Sequence, residues 1–276
     1  MIAGEAGLLG AWSRSRTRSQ TQIIIREVSG LSCALFAVIA CLLPADATDR
    51  VTRVIPLATG TPIRVDATIA NVTIVGSNRP DLRVEIVRRA PAAGDLATYP
   101  VVIDDGPNGV RISVVQAGSG DEAGRDANLK TDITMAVPSA AAVQAVRVFE
   151  GRIRLTNLRT AVDVDLRRGP VEATNLAGRI RLESGIGSVD VTDSELTPGG
   201  MMRLRVFNGP LRVRFARAPT SARILAVTFH GTITSDIPLT KKDQFGPRFG
   251  ETTIGDGDPV MSMDVVNGDI AITVAK

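Results

Sequence analysis

Chemistry needs particular residue types held at close spacing, and this sequence offers four groupings to weigh. The only histidine, His230, lies in Thr228-Phe229-His230-Gly231. A Ser-His-Asp relay would have to be built around it. No nucleophile elbow stands nearby, so His230 reads as a turn residue. Asp163 and Asp165 share one strand face, as do Arg179 and Arg181. Paired carboxylates facing a groove suit glycoside cleavage, yet cross-strand charge pairing accounts for the same residues. Asp104-Asp105 and Asp256/Asp258 are short acidic loops flanked by glycine. Calcium-binding rolls repeat Gly-Gly-x-Gly-x-Asp in successive turns. Turns such as Arg167-Arg168-Gly169-Pro170 lack that pattern, and no metal site is expected. Finally, Arg203, Arg205, Arg212 and Arg214 alternate along two successive strands as a possible strip for an anionic ligand. Guanidinium groups suit phosphate and carboxylate. Charged strands also discourage edge-to-edge pairing, and Asp190 and Glu195 are placed to neutralise some of the strip.

The aromatic content weighs against a carbohydrate enzyme. Sugar sites favour aromatic rings with a polar edge, and beyond residue 47 the chain has no tryptophan and one tyrosine, Tyr99. The reading is therefore non-enzymatic, with no catalytic residue and no cofactor. The formal net charge over 276 residues is +3. Charges of both signs are interspersed, so no strong field steers a polyanion, and nucleic acid is not an expected partner.

Some elements must still position any binding residue, and the first 47 residues are not among them. Arg14, Arg16, Arg18 and Arg26 precede an apolar run from Leu31 to Leu43, and Ala45-Asp46-Ala47 supplies a small-x-small cleavage pattern. The run is too short for a comfortable membrane span. Residues 1–47 read as a signal peptide cleaved after Ala47. A second reading takes Val38-Ile39-Ala40-Cys41 as a lipobox, with Cys41 lipidated and one acyl-anchored terminus. Cys33, Cys41 and Trp12 all lie in this leader, so the cleaved chain has no thiol and no disulfide.

Residues 48–276 read as one domain, with irregular strands over 51–137 and regular repeats over 146–275. Ile153-Arg154-Leu155-Thr156-Asn157 recurs as Val171-Glu172-Ala173-Thr174-Asn175 and as Val189-Asp190-Val191-Thr192-Asp193. Val162-Asp163-Val164-Asp165-Leu166 and Ile180-Arg181-Leu182 interleave with them. Apolar pairs thus return every nine residues, with glycine at 169, 178 and 187. Strict alternation means half-buried strands. Nine residues allow about five for a strand and about four for a turn. Two such units make one 18-residue coil of an all-β, β-solenoid or β-helix-like stack. The alternative is an antiparallel β-meander sandwich, since Asn208-Gly209 and Asn267-Gly268 are hairpin signals. In the stacked arrangement Arg154, Glu172 and Asp190 form an outward ladder and Asp163 faces Arg181.

The remaining pattern is less regular. Strands are expected around Ile63, Val72, Leu82, Val110, Ile133 and Val146, and a final pair from Met261 to Val274. Gln116 to Thr131 and Asp236 to Pro259 read as long loops, and Ser139 to Ala145 as the one helix candidate.

The span Ile63 to Pro91, the segments Phe149-Glu150-Gly151-Arg152-Ile153-Arg154-Leu155 and Leu176-Ala177-Gly178-Arg179-Ile180-Arg181-Leu182, and the ending Gly255-Asp256-Gly257-Asp258 through Val266-Asn267-Gly268-Asp269-Ile270 resemble the putative-adhesin family DUF4097. The likeness covers roughly residues 60–275. It implies a β-solenoid-like domain of the bacterial cell envelope and no catalytic residues. The expected role is binding or scaffolding of envelope or surface components, in the periplasm, envelope or outside the cell. The alternatives are a carbohydrate-active β-helix enzyme and an envelope-stress regulator acting through a protein partner. The expected partner is an envelope polymer or protein, and no membrane span remains after cleavage.

Overall fold

The computed structural model describes residues 46–58, 60–116, 128–242 and 246–275. The apolar run from Leu31 to Leu43, Trp12, Cys33 and Cys41 lie outside the described residues, and Ala47 is the first residue of the first strand. The strands in chain order are β1 (Ala47–Pro56), β2 (Pro62–Ser77), β3 (Asp81–Ala90), β4 (Val101–Gly106), β5 (Gly109–Val114), β6 (Lys130–Pro138) and β7 (Ala142–Thr156). They continue as β8 (Val162–Arg168), β9 (Val171–Thr174), β10 (Arg179–Ile186), β11 (Val189–Thr192), β12 (Met201–Asn208) and β13 (Leu211–Phe215). The last are β14 (Ala222–His230), β15 (Ile233–Ser235), β16 (Thr240–Lys242), β17 (Arg248–Ile254), β18 (Val260–Asn267) and β19 (Ile270–Val274). One helix of six residues, α1 (Ala93–Thr98), lies between β3 and β4.

The protein is all-β, and its strands form one large, mostly parallel, unclosed sheet. Alternation decides which side each residue takes. In β8, Val162, Val164 and Leu166 are buried while Asp163 and Asp165 are not, and the same rule runs through β10 and β12. The buried residues of all these strands join in one core, dominated by Ile, Val and Leu.

The pairing separates into two ladders. In the first, β5, the front half of β2, the front half of β7, β8, β10, β12, β18 and β14 lie side by side and parallel. In the second, β6, the rear halves of β2 and β7, β9, β11, β13, β19 and β15 do the same. Each rung thus contributes one strand to each ladder and turns between them. Residues eighteen apart face one another from Ile153 to Thr192: Ile153 opposite Val171, Val171 opposite Val189, Val162 opposite Ile180. The turn through Pro198-Gly199-Gly200 then lengthens the step, and Ile180 faces Met202.

Glycine sets the bend between the two halves of a rung. Gly169, Gly187, Gly209, Gly268 and Gly231 follow one another in space. A Cβ on any of them would overlap the backbone carbonyl of the glycine in the rung beneath, and Gly151 meets Ala70 in the same way. Most of these residues also have positive φ, as at Gly187 (φ 154). The Asn208-Gly209 and Asn267-Gly268 pairs are therefore corners, not hairpins. β12 and β13 pair with different neighbours in different ladders, which excludes the antiparallel meander.

The opposite bend uses asparagine. Asn157, Asn175 and Asp193 occupy left-handed backbone (φ 59, 54 and 52), a conformation these side chains tolerate. Asn175 Nδ2 donates to Asn157 Oδ1 at 2.7 Å, and the hydroxyls of Thr174 and Thr192 are 3.0 Å apart.

Three loop or helix expectations need correction. Ser139–Ala145 is not a helix: β7 begins at Ala142, and its pairing slips between Val143 and Val146. That bulge puts two inward residues three apart, a helical spacing produced by a strand. Lys130 and Thr131 belong to β6, and the segment 236–259 contains β16 and β17.

Antiparallel strands flank the parallel ladders on both sides. β1 and β3 extend the second ladder beyond β6, and β4 flanks β5 in the first. Arg88 of β3, 7% exposed, fastens this end: it donates to the carbonyls of Leu96 (2.9 Å) and Tyr99 and pairs with Asp49 of β1. Arg88→Ala leaves those acceptors without their donor, and a loss of about 2–4 kcal/mol is expected. Urea unfolding followed by circular dichroism measures it. An unchanged midpoint would remove Arg88 from this role.

At the other end β17 pairs antiparallel with β14, and β16 with β17. The final rungs are out of chain order. β18 and β19 lie between β12/β13 and β14/β15, although they come last in sequence.

Candidate functional site

The solvent-facing side of the first ladder gathers side chains into rows that cross the strands. One row is charged: Asp66, Arg147, Asp165, Glu183, Arg205 and Asp264 stand opposite one another in turn. The next row, two residues further along each strand, lies beside the glycine corner. Pairing places Phe149 of β7, Arg167 of β8, Gly185 of β10, Phe207 of β12, Val266 of β18 and Phe229 of β14 there. Phe207 is 55% exposed and Phe229 56%. Aromatic rings normally bury most of their surface, and this chain has only seven phenylalanines. Two that remain in water on one face make an apolar patch.

Two grooves cross this face. The first, about 540 Å³, mixes polar and apolar surface and includes Asp66, Arg111, Arg147, Phe149, Asp165 and Arg167 in its walls. Arg111 Nη2 pairs with Asp66 at 2.9 Å, and the Arg168 guanidinium lies 5.7 Å from the Phe149 ring centre. The second, about 460 Å³, lies among β10, β12, β18 and β14. Glu183, Arg203, Arg205 and Asp264 line its polar side, and Phe207, Val227, Phe229 and Val266 its apolar side.

Hydrogen-bonding capacity in the second groove is unequal. Glu183 accepts from Arg181 Nη2 at 3.0 Å, and Asp264 accepts from Ser262 at 3.3 Å. Arg181 is itself tied to Asp163, whose charge is the main cause holding the guanidinium above its ordinary pKa. Arg205 comes no closer than 3.9 Å to Glu183, beyond hydrogen-bond reach. Arg203 makes no ion pair or side-chain hydrogen bond among the described residues. Each carboxylate accepts one hydrogen bond, Arg205 stands between the two, and Arg203 keeps all its donors free.

The four arginines do not form one strip. Arg203 and Arg205 enter the second groove from β12, whereas Arg212 and Arg214 project from β13 in the other ladder. Arg212 pairs with Asp190 at 3.1 Å and Arg214 with Asp193 at 3.0 Å. Glu195 pairs elsewhere, with Arg159. Asp163 pairs with Arg181, and Arg154 with Glu172, between residues eighteen apart. Asp165 faces the first groove. His230 is exposed at the corner, where its carbonyl accepts from Gly268 N.

Of the acidic segments, the one at Asp256 and Asp258 has local partners. Asp256 accepts from the hydroxyl of Ser221, which holds its carboxyl below the ordinary range. Asp104 and Asp105 are exposed on β4. Among the described residues no three His, Cys, Asp or Glu side chains converge on one point. No helix of the described residues is long and apolar enough to cross a membrane.

Phe207 and Phe229 are the site residues that sequence reasoning misses. A signal for Phe207 is present, because it shares the outward parity of Arg203 and Arg205.

No family model matches the sequence, and no curated protein matches it. Solved structures do. A putative cell adhesion protein from Clostridium sporogenes is 10% identical with a TM-score of 0.48, over 83% of this chain and 100% of its own. A putative adhesin from Bacteroides fragilis is 12% identical with a TM-score of 0.40, over 82% and 97%. A putative adhesin from Parabacteroides merdae is 13% identical with a TM-score of 0.28, over 82% and 96%.

Proposed function

We propose that this is an exported, non-enzymatic protein of the bacterial cell envelope that binds or scaffolds envelope components through the outward face of its first ladder. The observation that carries the reading is the pair of exposed rings, Phe207 and Phe229, on either side of half-buried Val266 and beside Arg203, unpartnered among the described residues. Exposed apolar surface rimmed by polar groups marks an interaction site. The resemblance of the glycine-strand motifs to the putative-adhesin family DUF4097 supports the same role, with the ladders as coils of a β-solenoid-like stack. The leader supports export, with cleavage after Ala47 into the periplasm or beyond, or with Cys41 as an acylated anchor.

Two measurements test this. Intact mass of the native protein, with cell fractionation, should give a chain starting at Thr48 or an acylated Cys41. A chain retaining Met1 in the cytoplasm would overturn export. Retention of the purified protein on native envelope fractions should fall about tenfold in the Phe207→Ser/Phe229→Ser double variant, since both rings are exposed and their loss leaves the core intact. Unchanged retention would overturn the assigned face.

A second reading has one observation in its favour: Asp66 and Asp165 flank Arg147 in the first groove. Carboxylates beside a basic group suit polysaccharide cleavage. Turnover of an envelope polysaccharide that disappears in Asp165→Asn would establish it.

A further inference from the structure

We infer that the groove among β10, β12, β18 and β14 binds the monomer of a single-chain anionic amphiphile, with its acyl chain on the phenylalanine row and its carboxylate or phosphate head on Arg203 and Arg205. The inference rests on the reading of this face as the binding surface and names its ligand class.

The groove is divided by chemistry. Its apolar side consists of Phe207, Val266, Phe229 and Val227, on three adjacent strands. These side chains offer surface but no hydrogen bond, so they suit a hydrocarbon better than a sugar or a peptide backbone. Opposite Phe207 the row carries Gly185, where a Cβ would stand 2.6 Å from the carbonyl oxygen of Arg167. Crowding by the neighbouring rung keeps the residue a glycine, and the floor beside Phe207 stays open. From Gly185 to Phe229 the row crosses about 14 Å, at the usual spacing of neighbouring strands. A volume of about 460 Å³ is of the size that holds small ligands.

The polar side decides the head group. Arg205 and Arg203 stand two and four residues before Phe207 on the same strand, so all three point outward. Glu183 and Asp264 also line the groove, but each already accepts a hydrogen bond from a protein donor. Each carboxylate keeps one oxygen without a hydrogen bond, and the lining holds two groups of each sign; the side chain left with no partner among the described residues is Arg203, whose guanidinium complements an acceptor with negative charge. A chain lying across β12, β18 and β14 and turning its head along β12 meets both sides.

Titration of the full protein with dodecanoate, dodecyl phosphate and dodecyltrimethylammonium, each below its micelle concentration, tests the assignment. The two anions should bind at least about tenfold more tightly than the cation, as expected for a charge-assisted hydrogen bond gained or lost. Arg203→Gln should weaken the anions about tenfold and leave the cation unchanged. Phe207→Ser should weaken all three. Equal binding of cation and anions would overturn the head-group assignment, and full affinity in Phe207→Ser would overturn the groove. Binding to vesicles of anionic phospholipid without binding of the monomers would replace a ligand groove with a membrane surface and end the inference. If no amphiphile binds while envelope retention still depends on Phe207 and Phe229, the ligand class is wrong and the binding face stands. If retention is indifferent to both residues, the broader reading fails first.

Discussion

Gly187→Ala should unfold at a much lower urea concentration than the unaltered protein, with a loss of about 4 kcal/mol. The added methyl group would overlap the carbonyl oxygen and carbon of Gly169. Both are backbone atoms of a strand junction, so neither can swing away. The residue also has φ 154, which an L side chain resists. Gly199→Ala is the informative control. Gly199 also has positive φ (69), but nothing lies within 4 Å of its missing Cβ. Only the left-handed backbone cost of about 1–2 kcal/mol remains there. Equal losses at the two sites would mean that conformational preference alone, not close approach of the rungs, selects glycine.

Ile180→Asp should cost about 5 kcal/mol, whereas its neighbour Arg181→Ala should cost about 1 kcal/mol or less. Ile180 is fully buried between Val162 and Met202. Aspartate there loses the packing of the isoleucine and must either shed its charge or open the strands. Arg181 is half exposed, and its ion pairs with Asp163 and Glu183 are screened by water. The comparison reads the side assignment directly, through one-residue shifts on a single strand. Similar unfolding midpoints for the two variants would reverse it.

Much of the centre of the molecule is legible in the sequence because strands two apart in the chain lie side by side at a constant spacing. Val162, Ile180, Val171 and Val189 announce their partners by spacing, and Asn157, Asn175 and Asp193 announce a shared backbone conformation. The rest is hidden for identifiable reasons. An Asn-Gly pair satisfies a hairpin and a tight corner equally well, so positions 208–209 and 267–268 do not declare which they are. A bulge at Gln144 imitates a helical period. The phenylalanine row spans a rearrangement that no local pattern carries: β18 lies between the strands of Phe207 and Phe229 and puts Val266 between the two rings. The arginine strip misleads for a related reason. Alternation shows that all four residues point outward, but the corner at Gly209 sends two of them into each ladder.

The same rearrangement limits how such a protein can change in length. Between β8 and β11 each pair of strands contacts the pair before and after it in the chain. An extra 18 residues there would lengthen the stack and leave every other pairing intact. Near the carboxyl end that freedom is gone. Val260–Val274 is an interior layer, bonded on one side to β12 and β13 and on the other to β14 and β15. Trimming it would not shorten the structure by its outermost layer but would separate a pair of layers that have no other common neighbour. The pairings that allow a whole repeat to be added thus lie in the middle of the sheet, away from the groove that spans the inserted strand.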